Sequence, residues 1–303
     1  MQTLRVNIFN TSSNLTLLAA QEAGCFARRG LTLEIQHTPN SDAQRSGLAE
    51  GRFEIAHAAV DNAVAMVEAG QDVVIVLGGD AGMNEFMVRS EIQTIADLRG
   101  KVLAVDAPNT AFALVAKKIL KNHGLLESRD YSVRLAGGTG PRAAAMVADP
   151  QLAAAMINPP FSFTVRQQGL KSLGNQYTLL GPYQATGAFV LRSWARDHAD
   201  LLQDYLTAYI EGQRLVMDPV NRNQMIELLA RSFKLDSAAA SGTYEALLTP
   251  GAGLAPDARF NAEGFQAVLA IRAEMEGMWG GTPPAPARFI DLSYAERATL
   301  KIS

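Results

Sequence analysis

His57 and Asp61 are the residues of this chain best placed by type and spacing to move a proton. They stand four positions apart, one near the end of an alternating stretch and one in the polar segment after it. Imidazole titrates near neutral pH and a carboxylate can take up a proton, so together they are the candidate acid and base of any catalytic site. Each has a plainer role available, His57 as a hydrogen-bonded structural histidine and Asp61 as the cap of a helix running to Gly70. If Asp61 instead faces a pocket, it repels a simple anion and suits an amine, a hydroxyl or a ring N–H.

A second set of residues suits anion capture without any lysine. Ser12, Ser13 and Asn14 precede a helical stretch, as do Asn40, Asn62 beside Asp61, and Asn109 with Thr110. Helix N-termini carry unpaired N–H groups and the positive end of the dipole, so a carboxylate, sulfonate or nitrate can rest there. Gly138 and Thr139 lie in a Gly-Gly-Thr-Gly loop where backbone can approach a ligand, although such a run also serves as a plain turn. Arg142 follows and could pair with an anion, but a position early in a helix favours a solvated side chain. Asn158, in an Asn-Pro-Pro loop, completes the polar set, and Phe161, Phe163, Tyr183 and Phe112 could form aromatic walls. Helical spacing assigns Phe112 to a core instead.

The four histidines, His37, His57, His123 and His198, are dispersed and form no metal-ligand spacing, so no metal is expected. Cys25 is the single cysteine. It excludes an internal disulfide and a cysteine-based metal site, and reads as a small buried hydrophobe.

These residues fall between elements that repeat as strand, loop and helix. Leu4, Val6 and Ile8 alternate as a first strand, Leu31, Leu33 and Ile35 as a second, and 54–58 as a third. Val73 to Leu77 is continuously apolar, as a buried strand should be. Further strands are expected at 102–105, 131–135 and 153–157, with helices from Ala111 and from Arg142. After a strand near Phe189 the chain turns helical, over about 199–217, 222–231, 237–247, 263–278 and from Tyr294. If that late strand rejoins the first sheet, two α/β lobes follow. The expected segments are 1–88 for the first lobe, 89–184 for the second, and 185–303 returning to the first. Ligands in such sheets bind beyond the carboxyl ends of the strands, where the candidate loops converge.

Composition narrows the function. A chain of 303 residues, 48% hydrophobic and with 27 basic against 30 acidic residues, builds sizeable cores and offers nothing to a nucleic acid. No stretch is long and apolar enough to span a membrane, and the alternating first residues do not form a leader.

Four segments carry a family resemblance: Ala20 to Leu31 (AQEAGCFARRGL), Gly47 to Ala56 (GLAEGRFEIA), Ile95 to Val102 (IADLRGKV), and Gly169-Leu170 after Pro159. With these the chain resembles the periplasmic solute-binding proteins of the nitrate, sulfonate and taurine ABC-importer type, the SsuA/THI5-like group that also includes thiamine-pyrimidine precursor binders. Glu54 replaces the usual aspartate, and Asp149 to Ala153 (DPQLA) departs from the usual Gly-x-x-Asp-Ala.

The resemblance implies a bilobal type II binding-protein fold with a helical C-terminal tail, closing on a small organic anion and delivering it to an ABC permease. It further implies a monomer, a periplasmic location with the leader absent from this chain, and no cofactor. The alternative is a cytosolic enzyme, of lyase, decarboxylase or pyrimidine-metabolism type, or a ligand sensor on the same fold. A pyridoxal Schiff base needs a pocket lysine, and the first lysine, Lys101, opens a strand at the end away from the cleft.

Overall fold

Leu4, Val6 and Ile8 are fully buried in β1 (Gln2–Ile8), with Arg5 on the opposite face of the pleat. The computed structural model describes residues 1–302. Chain order continues with α1 (Leu15–Glu22), β2 (Leu31–His37), α2 (Ser41–Ala49), β3 (Ile55–Ala59), α3 (Asp61–Glu68) and β4 (Val73–Leu77). The parallel register pairs Gln2 with Leu31 and Val6 with Ile55, so these crossings are βαβ units. Glu54 precedes β3 and accepts from the backbone N–H of Arg5 at 2.7 Å and from its Nε at 3.0 Å. A glutamate thus reaches across to the neighbouring strand, which gives the departure at this position a structural use.

The chain then crosses to a second sheet. It runs through β5 (Glu85–Val88), β6 (Val102–Val105), α4 (Ala111–Asn122), β7 (Ser132–Leu135), α5 (Thr139–Ala148), β8 (Leu152–Ile157), α6 (Phe161–Gln167), β9 (Lys171–Asn175) and α7 (Gln176–Leu180). β10 (Thr186–Leu191) returns and inserts antiparallel between β3 and β4. The two sheets have five strands each, ordered β2-β1-β3-β10-β4 and β7-β6-β8-β5-β9. β5 belongs wholly to the second sheet, so the first crossing precedes Glu85 and the expected boundary after residue 88 is corrected. β5 and β9 were not expected from the sequence; Lys171–Asn175 contains one large apolar residue, Leu173.

The tail comprises α8 (Arg192–Asp197), α9 (Ala199–Met217), α10 (Arg222–Phe233), α11 (Ser237–Leu247), α12 (Ala262–Glu276) and α13 (Ser293–Leu300). α9 buries Leu202, Leu206 and Ile210 against the first sheet, together with Leu17 and Ala20 of α1. Gly212 permits this approach, since a Cβ there would lie 2.6 Å from the Thr16 carbonyl oxygen. α12 packs on α4 of the other lobe, so the tail straps both lobes. Phe265 of that strap shares one core with Ile75 of the first sheet and Phe86 of the second.

Candidate functional site

The candidate loops converge where the geometry of parallel sheets places them. Beyond the carboxyl ends of β1, β2, β3, β6, β7 and β8 lies a cavity of about 780 Å³, part of it open to solvent. The first lobe contributes Ser13, Asn14, Ser41, His57 and Asn62, and the second contributes Asp106, Thr110, Gly138, Thr139, Arg142 and Asn158. Phe9, Phe112 and Tyr209 supply aromatic surface. Four helices of eight or more residues, α2, α3, α4 and α5, present their N-terminal turns here through Ser41, Asn62, Ala111 and Thr139. Their unpaired N–H groups therefore face one space from both lobes.

Arg142 is only 3% exposed, which corrects the expectation of a solvated side chain. Its guanidinium donates to the Met156 carbonyl through Nε at 3.1 Å and Nη2 at 3.0 Å, and to the Gly137 carbonyl at 2.8 Å. It also donates to the Thr139 hydroxyl at 3.3 Å. Its nearest carboxylate, Asp106, is 4.0 Å away. Burial depresses its pKa and Asp106 opposes that, yet an arginine stays charged at physiological pH. The result is a buried cation held mainly by neutral dipoles.

His57 lines the cavity but is anchored from behind. Its Nε2 is 2.7 Å from the Tyr205 hydroxyl and its ring stacks on Tyr209 at 4.8 Å. Burial pushes its pKa down to about 3, so the ring is neutral near pH 7. Asp61 lies elsewhere: it forms a two-pronged pair with Arg272 of α12, and both side chains are buried. It does not cap α3, whose preceding residue is Val60. As a ligand contact or as the partner of His57 in proton transfer it is therefore corrected, because its oxygens are bound to the guanidinium.

Other candidates are also placed away from the cavity. Ser12 donates to the Pro159 carbonyl at 2.8 Å, tying the first lobe to the second. Asn40 caps α2 by accepting from the Ala43 N–H at 2.9 Å. The Asn109 carbonyl accepts from Arg272 at 3.1 Å while its side chain is exposed. Phe161 packs into the second-lobe core, Tyr183 is a core residue, and Phe163 lies against Gly242 of α11. Phe112, assigned by spacing to the core, reaches the cavity while also packing on that core.

Sequence reasoning missed Asp80. This fully buried carboxylate, between β4 and β5, accepts from the Thr186 hydroxyl at 2.5 Å and the Gly82 N–H at 2.6 Å. Burial raises its pKa while these bonds pull the other way. Its backbone oxygen also accepts from the Ala185 N–H at 3.0 Å, joining the two inter-lobe crossings. The signal was present as an aspartate inside Gly-Gly-Asp-Ala-Gly directly after an apolar strand. Among the described residues, no group of three or more histidine, cysteine, aspartate or glutamate side chains is placed to hold a metal ion.

A family model for the NMT1/THI5-like proteins matches residues 12–219. Among solved structures, the alkanesulfonate-binding protein SsuA from Xanthomonas axonopodis pv. citri, bound to MOPS, is 20% identical with a TM-score of 0.74, over 93% of this chain and 94% of that one. The periplasmic nitrate-binding protein NrtA from Synechocystis is 13% identical with a TM-score of 0.80, over 99% and 89%. A zinc-bound ligand-binding component of an ABC-type import system from Staphylococcus aureus is 14% identical with a TM-score of 0.82, over 98% and 99%. No curated protein matches the sequence. The likeness to solved structures is one of fold, bilobal and of the periplasmic-binding-protein type. The family match spans well over half of the 303 residues and most of the cavity wall, and on that ground the chain belongs to the NMT1/THI5-like family.

Proposed function

We propose that this protein captures a small organic ligand bearing an acidic group between its two lobes and presents it to an ABC permease. The observation that carries the reading is the convergence of four helix N-termini on a cavity where Arg142 is the one cationic side chain among the described residues. Helix N-termini and a guanidinium both favour negative charge, and neither needs a mobile lysine. Structures of similar fold from importers support delivery to a permease and a periplasmic location. A monomeric state is part of the same proposal. No helix among the described residues is long and apolar enough to cross a membrane. The enzymatic alternative loses its acid–base pair, since His57 is bound to Tyr205 and Asp61 to Arg272.

Native mass spectrometry of the purified protein with a panel of nitrate, alkyl sulfonates, aromatic acids and pyrimidines tests this. The expected result is one compound retained 1:1 and unchanged in mass, with Arg142→Met lowering retention tenfold or more while circular dichroism stays native. Retention of uncharged compounds alone, or release of a compound with a new mass, would overturn the proposal.

A further inference from the structure

Two hydroxyl groups on the cavity wall direct their protons away from it. Thr186 donates to the buried carboxylate of Asp80. Thr110 lines the opposite wall, and its hydroxyl donates to Asp106. A hydroxyl has one proton and two lone pairs, so each of these two can offer a ligand acceptor capacity alone. Asn158, 6% exposed and also on the wall, has a buried Oδ1 with no hydrogen-bond partner among the described residues. Asp106 adds a carboxylate to the same wall. A buried acceptor left unpaired is costly, so acceptors gathered in this way select a ligand that supplies N–H or O–H groups.

We infer that the ligand, besides its acidic group, bears at least one N–H or O–H donor, that Asn158 and the Thr186 hydroxyl accept from it, and that Asp80 is the positioning residue fixing that hydroxyl. This rests on the proposed capture of an acid and narrows it: a bare oxyanion such as nitrate satisfies the helix N-termini and leaves the acceptors unpaired. Asp80 touches no ligand. Its two donors, Thr186 and the Gly82 N–H, hold the carboxylate in place, and the carboxylate in turn holds the Thr186 proton away from the cavity.

The experiment offers matched acids together to the intact protein and reads retention by native mass spectrometry: 4-aminobenzoate with 4-methylbenzoate, 2-hydroxyethanesulfonate with propanesulfonate, and nitrate. Preference for the donor-bearing member by tenfold or more is expected in any pair that is retained. Asn158→Leu should reduce that preference. Asp80→Asn should bring it towards one while the methyl or alkyl member is held as well as before, because the amide can donate to a hydroxyl and free its proton for the cavity. Unfolding of a variant is detected by circular dichroism, and the wild-type preference then decides alone. Equal or stronger retention of the donor-free acids or of nitrate by the wild type would overturn this inference and leave acid capture standing. Retention of none of the acids would overturn both.

Discussion

Two regions of this molecule bury charge, and they satisfy it differently. In the strap formed by α12, charges meet their opposites: Arg272 pairs with Asp61 and at 2.9 Å with Glu276. In the cavity, Arg142 is held by carbonyls and a hydroxyl, and Asp80 by a hydroxyl and an N–H. A pair of opposite charges cancels its own field and fixes structure. A charge held by neutral dipoles keeps its field, and imposes proton positions on whatever surrounds it. The strap therefore reads as the part that joins the lobes, and the cavity as the part that reads a ligand.

The largest way to break this contrast is to remove one partner in the strap. Asp61→Ala leaves the Arg272 guanidinium buried without its main counter-charge and should cost about 3–5 kcal/mol in urea unfolding, whereas the double replacement Asp61→Leu with Arg272→Met should recover most of it. A single replacement that proves neutral would place Asp61 outside the structural role.

A smaller effect sharpens the cavity side. Native His57 resists protonation down to about pH 3, while the unfolded chain takes up that proton near its ordinary value of about 6.5. Above that ordinary value neither state is protonated and the group is silent. As pH falls below it, the unfolded state binds the proton first, so stability declines. The loss should be about 2 kcal/mol by pH 5 and should continue to grow towards pH 3. His57→Gln should flatten this part of the stability profile, and an unchanged slope would show that the histidine is protonated in the native state.

Much of the architecture was legible because burial imposes a period. Leu4, Val6 and Ile8 alternate because one face of β1 is covered, and Val73 to Leu77 runs apolar because both faces are. The helices at 199–217 and 237–247 were readable for the same reason at helical spacing. Position beyond a strand end brought Ser13, Asn14, Asn62, Thr110, Gly138, Thr139 and Asn158 to the cavity wall, a matter of topology that residue order carries.

Side-chain direction was not legible. Asp61 and Asp80 are both aspartates beside strand ends of the first sheet, yet Arg272, 211 positions along the chain from Asp61, decides that one is structural. Arg142 looked solvated because nothing local shows that the carbonyls of Gly137 and Met156 await it. Ser12 and Ser13 are neighbours, and a single step of backbone sends one to the Pro159 carbonyl and the other to the cavity wall.

The most direct test of the account is small-angle X-ray scattering from the protein alone and saturated with the acid retained in native mass spectrometry. Capture between two lobes about the crossings tied by Asp80 requires a smaller radius of gyration in the bound state. Superimposable profiles at full occupancy would contradict lobe closure and, with it, the mode of capture proposed here.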